Sequence, residues 1–409
     1  MRLFLFRLLL PVAVVALSCS DPKTVALEQE KAGTAISPDS AATAETPAQP
    51  VPAPAPAADT AAVQDVAAYL AGMPVSQNGD LRPLTTQPGW QAFAADADKS
   101  WANYHQTRTG KIQPWAAAEL DSVRQAAKTV FYPFSGPDLL NVVTMFPTSQ
   151  TCVLVGLEPV GSVPRRSTLE NSKLFPALQA SLWSVLNFSF FRTNDMAIDL
   201  KSVELDGSLP LIMLFAARTN HQITAIRYVQ LDARGQLTAA DTATIRKPGP
   251  KVVPGVEMLL LDKAGQKKQV YYFSADLSDW KLGTTQDAAL RYVRTLGPLV
   301  TYVKSATYLM HKPYFSKVRN LVLERSSYVL QDDSGIAMKY FRPADWHFTY
   351  YGVYRRPINL FAKQYQPELT KAYADSTKRP RPLPFGTGYN WRQNDSNLLL
   401  AHRRTAPAI

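Results

Sequence analysis

Apolar residues recur every three or four positions along several stretches of the chain, which is the spacing of one face of an α-helix. The clearest stretch places Trp90, Phe93, Ala97, Trp101 and Tyr104 on one face, and we predict a helix there. The other predicted helices cover residues 115–128, Leu169–Phe188 with Pro176 placing its start near Phe175, Thr284–Leu296, Leu299–His311, and Ile358–Ala374 with a break at Pro367.

Apolar runs rich in β-branched and aromatic residues predict the strands. They are Leu209–Ala217, Gln222–Leu231, Val256–Leu261, Gln269–Phe273, Ser327–Gln331 and Trp346–Tyr354. Several strands follow one another without a helix between them, which favours an α+β fold with a mainly antiparallel sheet and flanking helices. Residues 86–405 are many for one domain, so two lobes with a seam near residues 200–210 are an alternative.

The part of the chain before this region has a different composition. Residues 20–85 contain almost no large apolar side chains, and the prolines between Pro47 and Pro56 alternate with alanine and valine. Such a segment favours extended polyproline II and cannot bury enough surface to fold. The sequence therefore predicts a signal segment over residues 1–18, a disordered Pro/Ala-rich stalk over residues 19–85 and a globular domain over residues 86–405.

The first residues have the pattern of a secretory signal, because Arg2 and Arg7 form a short positive segment that precedes the apolar run Leu8–Leu17. The run ends in the sequence Ala-Leu-Ser-Cys, which resembles a bacterial lipobox, although Ala16 stands where the lipobox prefers leucine. In lipoproteins with this motif the cysteine is diacylated and becomes the new N-terminus, so the resemblance implies lipidation of Cys19. Ordinary signal cleavage beside an incidental cysteine is the alternative.

Residues 20–22, Ser-Asp-Pro, resemble the surface-export signal of Bacteroidetes lipoproteins. The resemblance implies a cell-envelope protein that a lipid holds to a membrane, expected to be the outer membrane. Whether the protein faces the periplasm or the surface is left open.

The formal net charge of +11 is unevenly distributed, since from Lys339 onward twelve Lys and Arg residues oppose four Asp and Glu residues. This basic end suits anionic lipid or acidic polysaccharide, or is an ordinary solvated surface. Nucleic acid is not an expected partner, because the sequence has no nucleic-acid-binding motif.

Cys19 and Cys152 are the only cysteines of the chain. If Cys19 is acylated, Cys152 has no intramolecular partner, and the apolar run Thr151–Gly156 around it predicts a buried structural thiol. The five histidines lack metal-ligand spacing and no glycine-rich nucleotide loop is present, so neither a metal nor a cofactor is expected.

Candidate chemistry rests on a few polar clusters between apolar runs. Asp332 and Asp333 precede Ser334 and Gly335, and Asp-Ser-Gly resembles the catalytic tripeptide of aspartic proteases. The motif occurs once, whereas those enzymes pair two copies, and a turn after the preceding strand explains the same residues.

Further polar side chains follow at Asp138, Arg192 and Asp195. If Asp138 and Asp195 converged with Asp332 or Asp333, the carboxylates would form a paired-carboxylate site or a cation site. Each of them alone is equally well explained as a helix cap or a turn residue.

An aromatic run ends the list of candidate sites. Trp346 and Tyr350 lie in it, and Arg355 and Arg356 follow it. Aromatic faces stack on sugar rings and arginine binds anionic groups, so these four residues are candidate glycan contacts. The alternative is that strand alternation buries the aromatic side chains in the core.

Four stretches of the globular part resemble a family of uncharacterised exported bacterial proteins. They are Tyr132–Asp138, Gly156–Gly161, Phe190–Met196 and Leu330–Ile336. The resemblance carries no known activity. The leading hypothesis is therefore an envelope lipoprotein that binds a glycan or a protein partner. The alternative is an unrecognised hydrolase that uses Asp138, Asp195, Asp332 and Asp333.

Overall fold

The structure is a computed structural model that describes residues 60–191, 200–283, 287–405 and 407. Cys19, Arg192 and Asp195 lie outside these ranges. The described residues form an α+β fold, which confirms the predicted class, and they belong to one compact unit without a seam near residues 200–210.

Ten strands form one sheet in the order β4-β3-β5-β6-β2-β1-β7-β8-β10-β9. Their bounds are β1 Thr129–Tyr132, β2 Thr151–Gly156, β3 Gln222–Leu231, β4 Leu237–Ala239, β5 Val253–Leu261, β6 Lys267–Ser274, β7 Leu299–Val303, β8 Ser326–Gln331, β9 Trp346–Gly352 and β10 Asn397–Arg403. The five central strands β6, β2, β1, β7 and β8 pair in parallel, and the flanking strands pair antiparallel. The prediction of a mainly antiparallel sheet is therefore true only in part.

The helices of the described residues lie before and between these strands in the chain. Their bounds are α1 Thr60–Leu70, α2 Arg82–Thr85, α3 Pro88–Tyr104, α4 Gly110–Glu119, α5 Asp121–Ala126, α6 Leu139–Met145, α7 Arg166–Leu169, α8 Leu174–Phe188, α9 Leu209–Arg218, α10 Thr242–Arg246, α11 Asp279–Lys281, α12 Asp287–Arg294, α13 Ser316–Arg325 and α14 Pro367–Ala374. None of the helices in the described ranges is long and apolar enough to cross a membrane.

Both faces of the sheet are covered, because successive side chains of a strand point to opposite faces. Val130 and Tyr132 of β1 pack in a core with residues of α1, α3, α4, α6, α8 and α9, whereas Phe131 packs in a second core with residues of α12 and α13. Parallel strands buried on both faces read as continuous apolar runs, and β7 is buried along its whole length.

This double burial explains two wrong secondary-structure predictions. Leu209–Ala217 was expected as a strand and lies in helix α9, whose first turn contains Pro210. Leu299–His311 was expected as a helix and instead forms β7 followed by a loop and a 3₁₀ turn at Leu309–His311. Leu209–Ala217 and Leu299–Val303 are each buried at every position, so periodicity could not separate helix from strand.

The folded domain begins earlier than residue 86. Helix α1 buries Val63, Ala67, Tyr69 and Leu70, and the Tyr69 hydroxyl donates to the backbone oxygen of Leu169 at 3.1 Å. The stalk prediction is therefore wrong for residues 60–85. Many residues of α1 are small, so the sequence of the helix alone did not indicate a folded segment. Their apolar surface stabilises the fold only because it packs against the core.

Cys152 lies fully buried in β2, as the sequence predicted. Its sulfur lies 3.3 Å from the hydroxyl of Ser149, and burial raises the pKa of the thiol. A protonated, enclosed thiol is a poor nucleophile.

Candidate functional site

The order of the parallel strands reverses beside β1. From β1 the chain passes to β2 on one side and then to β6, and it later returns to β7 on the other side of β1. In open sheets of this order, ligands bind outside the carboxyl ends of the strands at such a switch point. The loops after β1, β2, β6 and β7 are therefore the first place to look for a site.

A cleft of about 300 Å³ lies among these four loops, and we call it the switch-point cleft. Most of its lining residues directly follow a parallel strand. They include Phe134, Ser135, Gly136 and Asp138 after β1, Leu157 and Glu158 after β2, Ala275, Asp276, Leu277 and Trp280 after β6, and Lys304, Ser305, Ala306 and Thr307 after β7.

Two pairs of aromatic side chains line the switch-point cleft. Phe134 contacts Phe315 edge-to-face, with ring centroids 5.7 Å apart, and Phe190 contacts Tyr389 with centroids 5.2 Å apart. Trp280 also lines the cleft and is 58% exposed. Its ring stacks on Tyr314 with centroids 4.9 Å apart, and pockets that bind small ligands are commonly lined by aromatic side chains.

Glu158 places a carboxylate in the cleft at the end of β2. The Tyr272 hydroxyl donates to the backbone oxygen of Glu158 at 2.7 Å and lies 3.4 Å from its Oε2 atom. A β-carbon added at Gly156 would lie 2.5 Å from the same Oε2 atom, so this glycine leaves room for the carboxylate. Burial raises the pKa of Glu158, a perturbation that is common at functional sites.

Two more charged groups of the cleft form a buried ion pair. Nζ of Lys304 lies 3.2 Å from Oδ2 of Asp138 and donates to the backbone oxygen of Ser189 at 2.5 Å. Asp138 also accepts from the Tyr132 hydroxyl at 2.9 Å and from the backbone N–H of Asn141 at 3.0 Å. Asp138 is therefore the cap of helix α6, as one of the two interpretations of the sequence predicted.

Strained backbone is concentrated in the loops that follow the two strands at the switch point. Phe134 after β1, and Ser305, Thr307 and Tyr308 after β7, have φ between 53° and 59°, a region that non-glycine residues rarely occupy. Such strain costs of order 1–3 kcal/mol per residue and persists where the surrounding structure enforces it, most often at functional sites.

The pair Asp332 and Asp333 is not part of the lining of the cleft. Asp332 accepts from the backbone N–H groups of Ser305 and Ser334, each at 2.9 Å, so it ties the loop after β8 to the loop after β7.

The neighbouring carboxylate is equally enclosed. Asp333 accepts from the Tyr308 hydroxyl at 2.5 Å and from Nδ2 of Asn397 at 3.0 Å. Both aspartates are buried with their oxygens occupied, so the geometry favours the turn interpretation over a protease site. Asp195 and Arg192, the other members of the predicted cluster, lie outside the described residues.

The aromatic glycan platform predicted on β9 is wrong in its key feature. Trp346 and Tyr350 are 2% and 3% exposed, so neither ring presents a face to a sugar. Trp346 packs edge-to-face on Phe341 in the core. Arg355 and Arg356 are exposed, but the aromatic surface that they were expected to flank is not.

Sequence reasoning missed Glu158, Asp276, Trp280 and Lys304 as site residues. Glu158, Asp276 and Lys304 follow closely on the end of a parallel strand, and this position was the usable signal. Within the described residues, no cluster of three or more histidine, cysteine or acidic side chains could hold a metal ion.

No protein-family model matches the chain, and no curated protein is similar to it in sequence. The site is therefore interpreted from its own geometry.

Proposed function

We propose that this protein is a lipid-anchored envelope protein that binds a small ligand with neighbouring hydroxyl groups in the switch-point cleft. The observation that carries the proposal is the Glu158 carboxylate, which stands at the end of β2 in a cleft lined by aromatic side chains. The lipid anchor rests on the sequence around Cys19.

A carboxylate is an acceptor-only group with two oxygens, so it suits a ligand that offers two adjacent O–H donors. Aromatic side chains supply flat apolar faces for the carbon skeleton of such a ligand. Asp276, whose carboxylate accepts from the backbone N–H of Ser278 at 2.8 Å, adds a second acidic group to the lining. Sugars and nucleosides share this chemistry, so the glycan hypothesis is kept with its site moved from β9 to the cleft.

Calorimetric titration with two panels, methyl glycosides and unmodified nucleosides, tests the proposal. We expect saturable binding by at least one panel. Glu158→Gln should weaken it by about ten- to a hundredfold, because a hydrogen bond to a charged group contributes about 1.5–3 kcal/mol. The matched control is Glu324→Gln, since Glu324 is exposed and pairs with Arg294 away from the cleft.

Two results would overturn the proposal. One is the absence of binding from both panels at millimolar ligand. The other is equal affinity of the wild type and Glu158→Gln.

The envelope location has its own test. Cells that express the wild type should incorporate labelled palmitate into the protein, and Cys19→Ala should not. Equal labelling of both proteins would show that Cys19 is not the site of lipidation, and the proposal about the cleft would be unaffected.

Hydrolysis in the same cleft is the second candidate function. The raised pKa of Glu158 is the property that a general acid needs. Of the described aspartates proposed from the sequence, Asp138 lines the cleft, whereas Asp332 and Asp333 do not. Release of product from a bound glycoside or nucleoside, abolished in Glu158→Gln, would support hydrolysis, and recovery of the intact ligand would exclude it for that ligand.

A further inference from the structure

We propose that the ligand of the switch-point cleft is a nucleoside without a phosphate group, either uncharged or carrying a positive charge. The inference rests on the proposed function and names the class of ligand. It comes from three features of the cleft, namely its mixed lining, the loop after β1 and the balance of charges.

The lining combines two kinds of surface that a nucleoside matches at once. A nucleoside has a flat aromatic base and a ribose with adjacent hydroxyls. The cleft has aromatic side chains, with Trp280 at 58% exposure, and the carboxylates of Glu158 and Asp276 at the ends of β2 and β6. Carboxylate oxygens accept hydrogen bonds from ribose hydroxyls, as an acidic residue does in dinucleotide-binding sheets.

The loop after β1 does not offer a place for phosphate. Nucleotide-binding sheets hold phosphate there with a glycine-rich turn and the free N–H groups of the next helix. In this protein Asp138 precedes the seven-residue helix α6, and its carboxylate accepts the N–H of Asn141 at 3.0 Å. The Asn141 N–H is thus already occupied by Asp138, and Lys304 is already paired with the same carboxylate at 3.2 Å, so neither is available to hold a phosphate.

The charges in the cleft also favour a ligand without a phosphate group. Among the residues that the structure describes, Asp138, Glu158 and Asp276 line it together with one cation, Lys304, which lies 3.2 Å from Asp138. The formal sum of these four groups is −3 + 1 = −2. A neutral ligand therefore enters without repulsion, and a cationic one is attracted.

A neighbouring cavity of about 820 Å³ supplies the competing outcome. It shares Leu157 and Glu158 with the cleft, and Arg165, Lys201 and Arg246 line it as exposed cations. Glu204 and Asp206 line the same cavity, so the cations are not unopposed. A phosphorylated ligand that reached this cavity would bind more tightly than its unphosphorylated form, contrary to the inference.

The test is a charge series on one nucleoside, measured by calorimetry on the full chain. The probes are adenosine, 5′-amino-5′-deoxyadenosine and adenosine 5′-monophosphate, with methyl β-ribofuranoside and the methyl glycosides as arms without a base. We expect the amino compound to bind tightest and the monophosphate at least about tenfold more weakly than adenosine. Raising the salt concentration should narrow these differences.

Asp138→Asn should also narrow the difference between adenosine and its monophosphate, and Glu324→Gln should leave it unchanged. If Asp138→Asn does not fold, the salt dependence of the wild-type series serves as the second measurement. Tighter binding of the monophosphate overturns the inference. Binding of glycosides without nucleosides also overturns it, although the proposed function then stands, whereas no binding by any probe ends both.

Discussion

Nζ of Lys304 lies 3.2 Å from Oδ2 of Asp138, and both side chains are 1% exposed. Removing one member of such a pair leaves the other charge buried without compensation, which typically costs about 3–5 kcal/mol. We therefore expect Lys304→Met to lower the free energy of unfolding by about that amount. Urea denaturation measures this loss of unfolding free energy, provided that the wild type and the variant have equal m-values.

The double variant Asp138→Asn/Lys304→Met is the control, because it leaves neither charge behind. It should lose less stability than Lys304→Met alone. If the single variant were within about 1 kcal/mol of the wild type, the ion pair would not stabilise this part of the fold.

The N-terminal boundary of the domain gives a second prediction. Removal of residues 1–59 should leave cooperative unfolding intact, because helix α1 begins at Thr60. Removal of residues 1–85 should abolish it, because that deletion takes away Val63, Tyr69 and Leu70, and each lost large apolar group costs about 2–5 kcal/mol against a total stability of about 5–15. Circular dichroism during heating distinguishes the two products. A folded protein that starts at residue 86 would show that α1 is dispensable.

Gly388 provides a third prediction, with Gly265 as its matched control. Both glycines have left-handed φ angles, 70° and 74°, so alanine at either position carries backbone strain of about 1–2 kcal/mol. A β-carbon at Gly388 would also overlap Oδ2 of Asp332, whereas nothing lies within 4 Å of one at Gly265. Gly388→Ala should therefore be the more destabilising of the two in denaturant unfolding. Equal losses of stability in the two variants would mean that the loop after β8 moves away from the added β-carbon without an energetic cost.

The fourth prediction concerns the dependence of stability on pH. Burial, together with the charge of Asp332, raises the pKa of Asp333 to about 7. Between about pH 4, the usual carboxyl pKa, and pH 7, the native state then holds a proton that the unfolded state has released. The contribution of Asp333 is present in full below pH 4 and is lost as the pH rises toward 7.

Asp333→Asn removes this titration, so the test is the difference in unfolding free energy between wild type and variant across pH 4–7. A difference measurement is needed because burial lowers the pKa of His221 and His311 to about 4, and they contribute a slope of opposite sign. The advantage of wild type over variant should shrink with rising pH. A constant difference would place the pKa of Asp333 outside this window.

The sequence predicted the antiparallel part of the sheet better than its parallel centre, for a physical reason. β3 has exposed or partly exposed positions between its buried ones, and the strands β5 and β6 form the predicted hairpin around Gly265. β7 has five buried residues in succession, so its pattern lacks the period that separates a strand from a helix.

Only those site residues that stand in a recognisable local motif could be predicted from the sequence. Asp138 stood out because Gly136 and Pro137 precede it in a turn. Lys304 and Glu158 are single polar residues after apolar runs, and their convergence depends on which strands are neighbours, a long-range property that the local pattern does not contain. Asp332 and Asp333 were equally conspicuous in the sequence, yet they lie outside the lining of the cleft.

The rate at which a reagent modifies Cys152 reports how fast the folded domain opens. The thiol is enclosed in β2 between β1 and β6, so a reagent can reach it only after the centre of the sheet has separated. With reagent in excess, the rate of modification approaches the rate of unfolding itself. The stability of the protein can thus be followed without an introduced label.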